Sequence, residues 1–269
     1  MIAVHRRRGR AVPAVPLIVA AALLLAGCGT DSPGPGRAGS GGGAPSGTVT
    51  VFAAASLTEA FERIGHDFEA DHRGVRVRYN FGGSSGLAQQ IVQGAPADVF
   101  AAANPATMDQ VTAAGAAAGA PRVFVRNTLR IAVPENDPAR VRGLADLARP
   151  GVKVALCAPQ VPCGAAAVKA LAAAGVTVTP VTLERDVKAA LTKVRLGEVD
   201  AALVYRTDVR AAAGQVRGIQ FPEAAEAVND YPIAVLAEAP NPAAARAFVD
   251  YVRSGKARAV LADAGFDQP

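Results

Sequence analysis

The stretch "FGGSSGLAQQIVQGAPADVFAAA", residues 81–103, decides how this chain folds. It opens on a glycine–serine cluster, continues as a helix over "GLAQQIVQGA" and closes on "ADVFAAA", a short apolar run that reads as a buried strand. Just upstream, "VRVRYNF" alternates polar and apolar residues, as a strand does. Strand, tight turn, helix and strand make a βαβ unit, with parallel strands and a right-handed crossover. Ser84 and Ser85 fall on the turn, among glycines that let backbone come close to a ligand.

The same rhythm extends to both sides. Upstream, "TVTVFAAA" reads as a buried strand, and "LTEAFERIGHDFEADH" as a helix with Leu57, Ala60, Phe61, Ile64 and Phe68 on one stripe. Downstream, "ATMDQVTAAG" is a helix. The pattern then restarts with the strands "TLRIAVP" and "VKVALCA", a helix over 165–174, the helix "RDVKAALTKVRLGE" and the strand "VDAALVY". A last strand, "YPIAVLA", and closing helices in "PAAARAFVDYVRSGKARAVLADAGF" complete the chain. Two α/β units, with a final segment free to pair back with the first, predict two lobes. The first covers 48–128 plus 230–269 and the second 129–229.

The amino terminus is a separate matter. "HRRRGR" is a basic segment, and the apolar run that follows is about ten residues long, short of the ~20 needed to span a bilayer. Residues 1–27 read as a secretory signal. It ends in "LAGC", which resembles a bacterial lipoprotein signal and implies cleavage before Cys28 and acylation of that cysteine. Residues 28–47 are mostly Gly, Ser, Pro and Ala, a composition that cannot offset its own ordering entropy, and read as a flexible tether. The expected location is extracytoplasmic, lipid-anchored to the outer face of the cell membrane.

Composition narrows the function. Residues 1–27 hold four arginines and no acid, so the remainder carries +1 of the whole chain's +5. A nearly neutral domain with no tryptophan is not built to bind nucleic acid. Cys157 and Cys163, in "CAPQVPCG", are a lone close pair in an exported chain and most simply form a disulfide. The rival reading, a metal or redox pair, matches neither zinc-knuckle nor C-x-x-C spacing. Catalysis has little to work with. His66 and His72 sit on the polar side or end of the first helix, and there is no G-x-S-x-G elbow, P-loop or dinucleotide fingerprint. No enzyme activity and no cofactor are expected.

Anion binding fits better. Ser56 stands between a strand and a helix, where Ser56 and Glu59 also satisfy the S-x-x-E capping-box pattern. Ser84 repeats the arrangement, and further helix starts fall near Cys163 and Val187. Helix N-termini present free N–H groups and partial positive charge, so several converging on one cleft bind an anion without Lys or Arg. Ser84 is then a donor through hydroxyl and N–H, and Ser85 a support for the turn or cap. A lipid-anchored adhesion or scaffold domain without a ligand would leave these four helix starts unexplained.

"TVFAAASLTEAF", "FGGSSGLAQQIVQGAPADVFAAA" and "ALVYRTDV" together resemble the periplasmic molybdate-binding proteins of ABC importers, over a span from about Val49 to Phe266. The resemblance implies a type II periplasmic binding protein fold, two α/β lobes with a ligand cleft between them. It implies molybdate or tungstate as ligand and the permease of an ABC importer as partner, with the binding protein a monomer. Another oxyanion, sulfate or phosphate, is the alternative. Carried over by motif, Ser56 and Ser84 give hydroxyl and N–H donors, Tyr205 its phenol, and Val187 a backbone N–H. Cys163 takes the place of the small residue in a "V-P-A-G" turn that here reads "VPCG". Iron carriers of related fold use clustered tyrosines, whereas Tyr205 and Tyr231 are isolated in this sequence.

Overall fold

The computed structural model describes residues 44–269. The expected signal at 1–27, the expected acylation site Cys28 and the expected tether up to residue 43 lie outside the described residues.

The described chain forms two mixed sheets covered by helices, the two α/β lobes expected. The first sheet holds β1 (Gly47–Ala54), β2 (Val75–Gly82), β3 (Val99–Ala101), β4 (Arg122–Asn127) and β10 (Asn229–Val235), in the order β2-β1-β3-β10-β4. β1 runs parallel to β2 and β3, and β10 antiparallel to β3 and β4. The second sheet holds β5 (Leu129–Pro134), β6 (Val154–Cys157), β7 (Thr182–Glu184), β8 (Ala201–Tyr205) and β9 (Val216–Ile219), in the order β7-β6-β8-β5-β9. Here too the central pairs are parallel and β5 is antiparallel to both neighbours.

The chain passes between the sheets twice. Thr128 alone joins β4 to β5, and residues 220–228 lead from β9 back to β10. At this border Asn127 and Asn229 are register partners across β4 and β10.

Burial follows the pattern of the sequence. β1 is apolar on both faces, as a strand covered on both sides must be. Val49, Val51 and Ala53 face one core, and Phe52 the other. The predicted stripe of α1 (Thr58–Asp71) is buried in full, with Phe61 and Phe68 edge-on to Phe248 of α7 (Pro242–Val252). The second lobe has its own core, around Leu129, Ile131, Leu203 and Tyr205.

The strands β4, β7 and β9, the short α6 (Arg206–Ala211) and the 3-10 turns Leu144–Ala148 and Pro222–Ala227 were not anticipated. The three strands all lie at sheet edges, where one side has no strand neighbour and the apolar run is short. α2 (Ser84–Val92) and α4 (Pro162–Ala174) each begin two or three residues earlier than expected. Ser84 and Cys163 are therefore in the first helical turn.

Candidate functional site

Between the two sheets the carboxyl ends of β1 and β8 meet the first turns of α2, α4 and α5 (Val187–Arg195). They line a small recess, with a cavity volume of about 10 Å³. The first lobe contributes Ser56, Gly83, Ser84 and Ala103, and the second Cys163, Val187 and Tyr205. All five residues singled out as donors in the sequence thus line one space, and each is at least nine-tenths buried.

Local structure explains the donors. Gly83 is the N-cap of α2 and Ser84 its first residue. Pro162 is the first residue of α4, an orphan N–H position that suits proline, and Cys163 follows it. Asp186 caps α5 by accepting from the Ala189 N–H at 2.9 Å, and Val187 comes next. The N–H groups of Ser84, Cys163 and Val187 are thus first-turn donors without an intrahelical partner. No lysine, arginine or histidine lines the recess.

The second-lobe turn is held covalently. Cys157, at the end of β6, is disulfide-bonded to Cys163. Gly164 lets the turn close, because a Cβ there would run into the Ala158 carbonyl.

Three sequence expectations are corrected. Ser56 does not form a capping box with Glu59. It lies in a short 3-10 turn, Ala55–Leu57, and its Oγ is 2.9 Å from the Tyr231 hydroxyl. Glu59 instead reaches across the cleft to Lys188 Nζ, with oxygens at 2.6 and 2.9 Å. Ser85 does not cap α2 either; its hydroxyl donates to the Gln160 carbonyl of the other lobe at 2.6 Å. Tyr205 and Tyr231 are not isolated: their rings meet edge to face, with centroids 6.0 Å apart.

Asn127, Asn229 and Tyr231 were missed as part of the site. Asn229 Nδ2 donates to the Tyr205 hydroxyl at 2.7 Å and to the Ala103 carbonyl at 2.8 Å. Asn127 Nδ2 donates to Thr207 Oγ1 at 2.9 Å and to the Tyr231 hydroxyl at 3.4 Å. The sequence carried no signal for the two asparagines, because β4 was not anticipated and the last strand was expected to begin at Tyr231, two residues after Asn229.

The electrostatics of the site favour neutral donors. Burial pushes the Tyr205 phenol well above its ordinary range, and Tyr231 and Asp208 nearby push it the same way. Burial likewise raises Tyr231. Both phenols keep their hydrogens at neutral pH. Beside them, Asp208 is wholly buried and caps the Tyr205 N–H at 3.1 Å. Its other oxygen has no hydrogen bond among the described residues and faces Lys188 Nζ at 3.3 Å. Burial lifts the Asp208 carboxyl to about 6, against the pull of Lys188. Burial works against the Lys188 ammonium too, yet Asp208 and Glu59 hold it above its ordinary value.

Known proteins are similar to this chain in sequence and fold. The sequence profile described as "Bacterial extracellular solute-binding protein" matches residues 49–267. A curated relative from Mycobacterium tuberculosis, "Molybdate-binding protein ModA", is 46% identical over 251 residues, covering 92% of this chain and 95% of its own length. The periplasmic molybdate-binding protein of Azotobacter vinelandii superposes with a TM-score of 0.71 at 22% identity, covering 82% of this chain and 99% of that one. The sulfate-binding protein SubI of Mycobacterium tuberculosis gives the same TM-score at 20% identity, covering 82% of this chain and 86% of that one. At these identities the two solved structures speak for the fold alone.

Proposed function

The chain belongs to the bacterial extracellular solute-binding proteins, with their two-lobed type II fold, and we propose that it captures molybdate and tungstate for an ABC importer. The observation that carries this reading is the convergence of neutral donors from both lobes on a recess without a cation. Ser56, Ser84 and Tyr205 offer hydroxyls, and Ser84, Cys163 and Val187 offer first-turn N–H groups. Such donors suit a small, compact dianion, which the positive ends of three helices attract. The relatives named for molybdate support this choice of ion over sulfate or phosphate.

The function is binding without chemistry. The lobes close on the anion and exclude water, which strengthens each hydrogen bond in the low-dielectric site. Because the groups are donors, an anion that carried a proton would set hydrogen against hydrogen, and that mismatch supplies selectivity. Size supplies the rest, since a smaller sulfate would leave its bonds long.

In this reading the protein works as a monomer on the outer face of the cell membrane, held there by acyl chains on Cys28 and the tether of 28–47. From there it delivers the closed, loaded form to a membrane permease.

Thermal unfolding tests the choice of ion. A ligand that binds only the folded state stabilises it by about 3 kcal/mol at a hundred times its dissociation constant. Molybdate and tungstate at 1 mM are expected to raise the melting temperature by several degrees, with sulfate and phosphate leaving it unchanged. A rise with sulfate alone would reassign the ligand.

A further inference from the structure

The hydroxyls that face the recess can each donate or accept, because a hydroxyl has one hydrogen and two lone pairs. What the protein does with the lone pairs therefore decides where the hydrogen points. For Ser84 the Ala103 N–H donates to Oγ at 3.0 Å, so the hydroxyl hydrogen is left for the recess.

For Tyr205 the partner is Asn229. The orientation of the Asn229 amide is fixed, because the same Nδ2 lies 2.8 Å from the Ala103 carbonyl, which only accepts. The Tyr205 oxygen, 2.7 Å from Nδ2, must then accept as well. This bond joins the lobes, with Asn229 on β10 of the first sheet and Tyr205 on β8 of the second.

Ser56 is controlled at one remove. Asn127 Oδ1 accepts from the Thr128 N–H at 3.0 Å, which fixes that amide too. Its Nδ2 donates to the Tyr231 oxygen at 3.4 Å. Ser56 Oγ lies 2.9 Å from the Tyr231 oxygen and either hydroxyl can donate; with the Tyr231 oxygen accepting from Asn127, a Tyr231 hydrogen given to Ser56 Oγ leaves the Ser56 hydrogen for the recess. Among the described residues no carbonyl or carboxylate hydrogen-bonds any of the three hydroxyls.

We propose that Asn229, and Asn127 acting through Tyr231, are positioning residues that aim the hydrogens of Tyr205 and Ser56 at the ligand and so make the site accept only a fully deprotonated anion. The two asparagines are register partners at the border between the sheets, so one pair of side chains sets the polarity of donors from both lobes. The inference rests on the proposed oxyanion function and adds residues that need not touch the ligand.

A double-mutant cycle tests it, with sodium molybdate as titrant and calorimetric affinity as readout. Asn229→Leu is expected to weaken binding about tenfold or more in the wild-type background, the scale of one hydrogen bond to a charged group. In a Tyr205→Phe background, with no phenol hydrogen to aim, the same change is expected to cost less than about threefold. Equal losses in both backgrounds, or no loss in either, would overturn the proposal. Asn127→Leu with Ser56→Ala forms a second, independent cycle with the same pair of outcomes, and it decides the matter if Asn229→Leu does not fold. A wild-type protein that gives no molybdate heat would overturn the proposed function itself, and this inference with it. Binding by the wild type with additive losses would overturn only the inference.

Discussion

Gly83 and Arg185 meet across the cleft with no room for a methyl group: a Cβ on Gly83 would run into the Arg185 carbonyl oxygen. Gly83 has φ −64° and ψ 124°, a conformation open to any residue. The glycine is therefore needed for the approach of the two lobes and not for the local turn. Gly83→Ala is expected to fold with unchanged or slightly raised stability, within about 1 kcal/mol, since alanine narrows the unfolded ensemble. Its affinity for molybdate should fall at least tenfold because the closed form is blocked. Urea unfolding and calorimetry on the same variant check both halves. Retained affinity would contradict closure at this contact.

The Glu59–Lys188 bridge also crosses the cleft, one residue beyond Val187. Glu59 is about half exposed, so solvent screening limits the pair to roughly 1 kcal/mol or less. Glu59→Gln is expected to weaken molybdate binding by no more than about fivefold, and the difference from wild type should shrink in 0.5 M salt. A loss that does not respond to salt would assign Glu59 a different part.

Lys188 has a second task, as the cation facing buried Asp208. Removing it as Lys188→Met leaves that carboxylate without a counter-charge, which typically costs about 3–5 kcal/mol. The loss in urea stability should be larger at pH 7.5 than at pH 5, where Asp208 takes up a proton and needs no partner. A loss independent of pH would argue against the pairing.

Asp208 also gives the folded state its own pH dependence. Burial lifts its folded value to about 6 from an ordinary value of 3.8, so the folded protein binds this proton more tightly than the unfolded chain. The corresponding stability is full below about pH 4 and is lost as pH rises through 6. Relative to Asp208→Asn, which keeps an acceptor for the Tyr205 N–H, the wild type should lose on the order of 3 kcal/mol between pH 4 and 7. Urea midpoints across that range measure it, and parallel curves would refute it.

The disulfide and the donor at Cys163 are separable. Serine at both Cys157 and Cys163 removes a short closed loop, worth about 2 kcal/mol in the chain-entropy model. The backbone N–H at position 163 remains, and so does the close fit of Gly164. Stability should fall by that amount while molybdate affinity stays within about threefold. A large loss of affinity would mean that the bond itself holds the donor in place.

Much of this was legible in the residues. The apolar runs of β1, β3 and β8 and the stripe of α1 are buried as their patterns require, and the five candidate donors line one recess. Three of the four edge strands, β4, β7 and β9, were not legible, because they are shorter than β2, the edge strand whose alternation was read. Partners distant in sequence were also out of reach. Ser56 and Glu59 satisfied a local motif, yet each found a stronger partner elsewhere, Tyr231 across 175 positions and Lys188 across 129. Asn127 and Asn229 carry no motif at all, and their part emerges only from where the chain leaves the first sheet at β4 and re-enters it at β10.

The central claim is that neutral donors on two lobes close on a tetrahedral dianion selected by size. Isothermal titration of the purified protein with molybdate, tungstate, sulfate and phosphate, in separate runs, tests it most directly. The account predicts tight one-to-one binding of molybdate and tungstate and no heat with sulfate or phosphate. Silence with all four anions from a folded sample would contradict it.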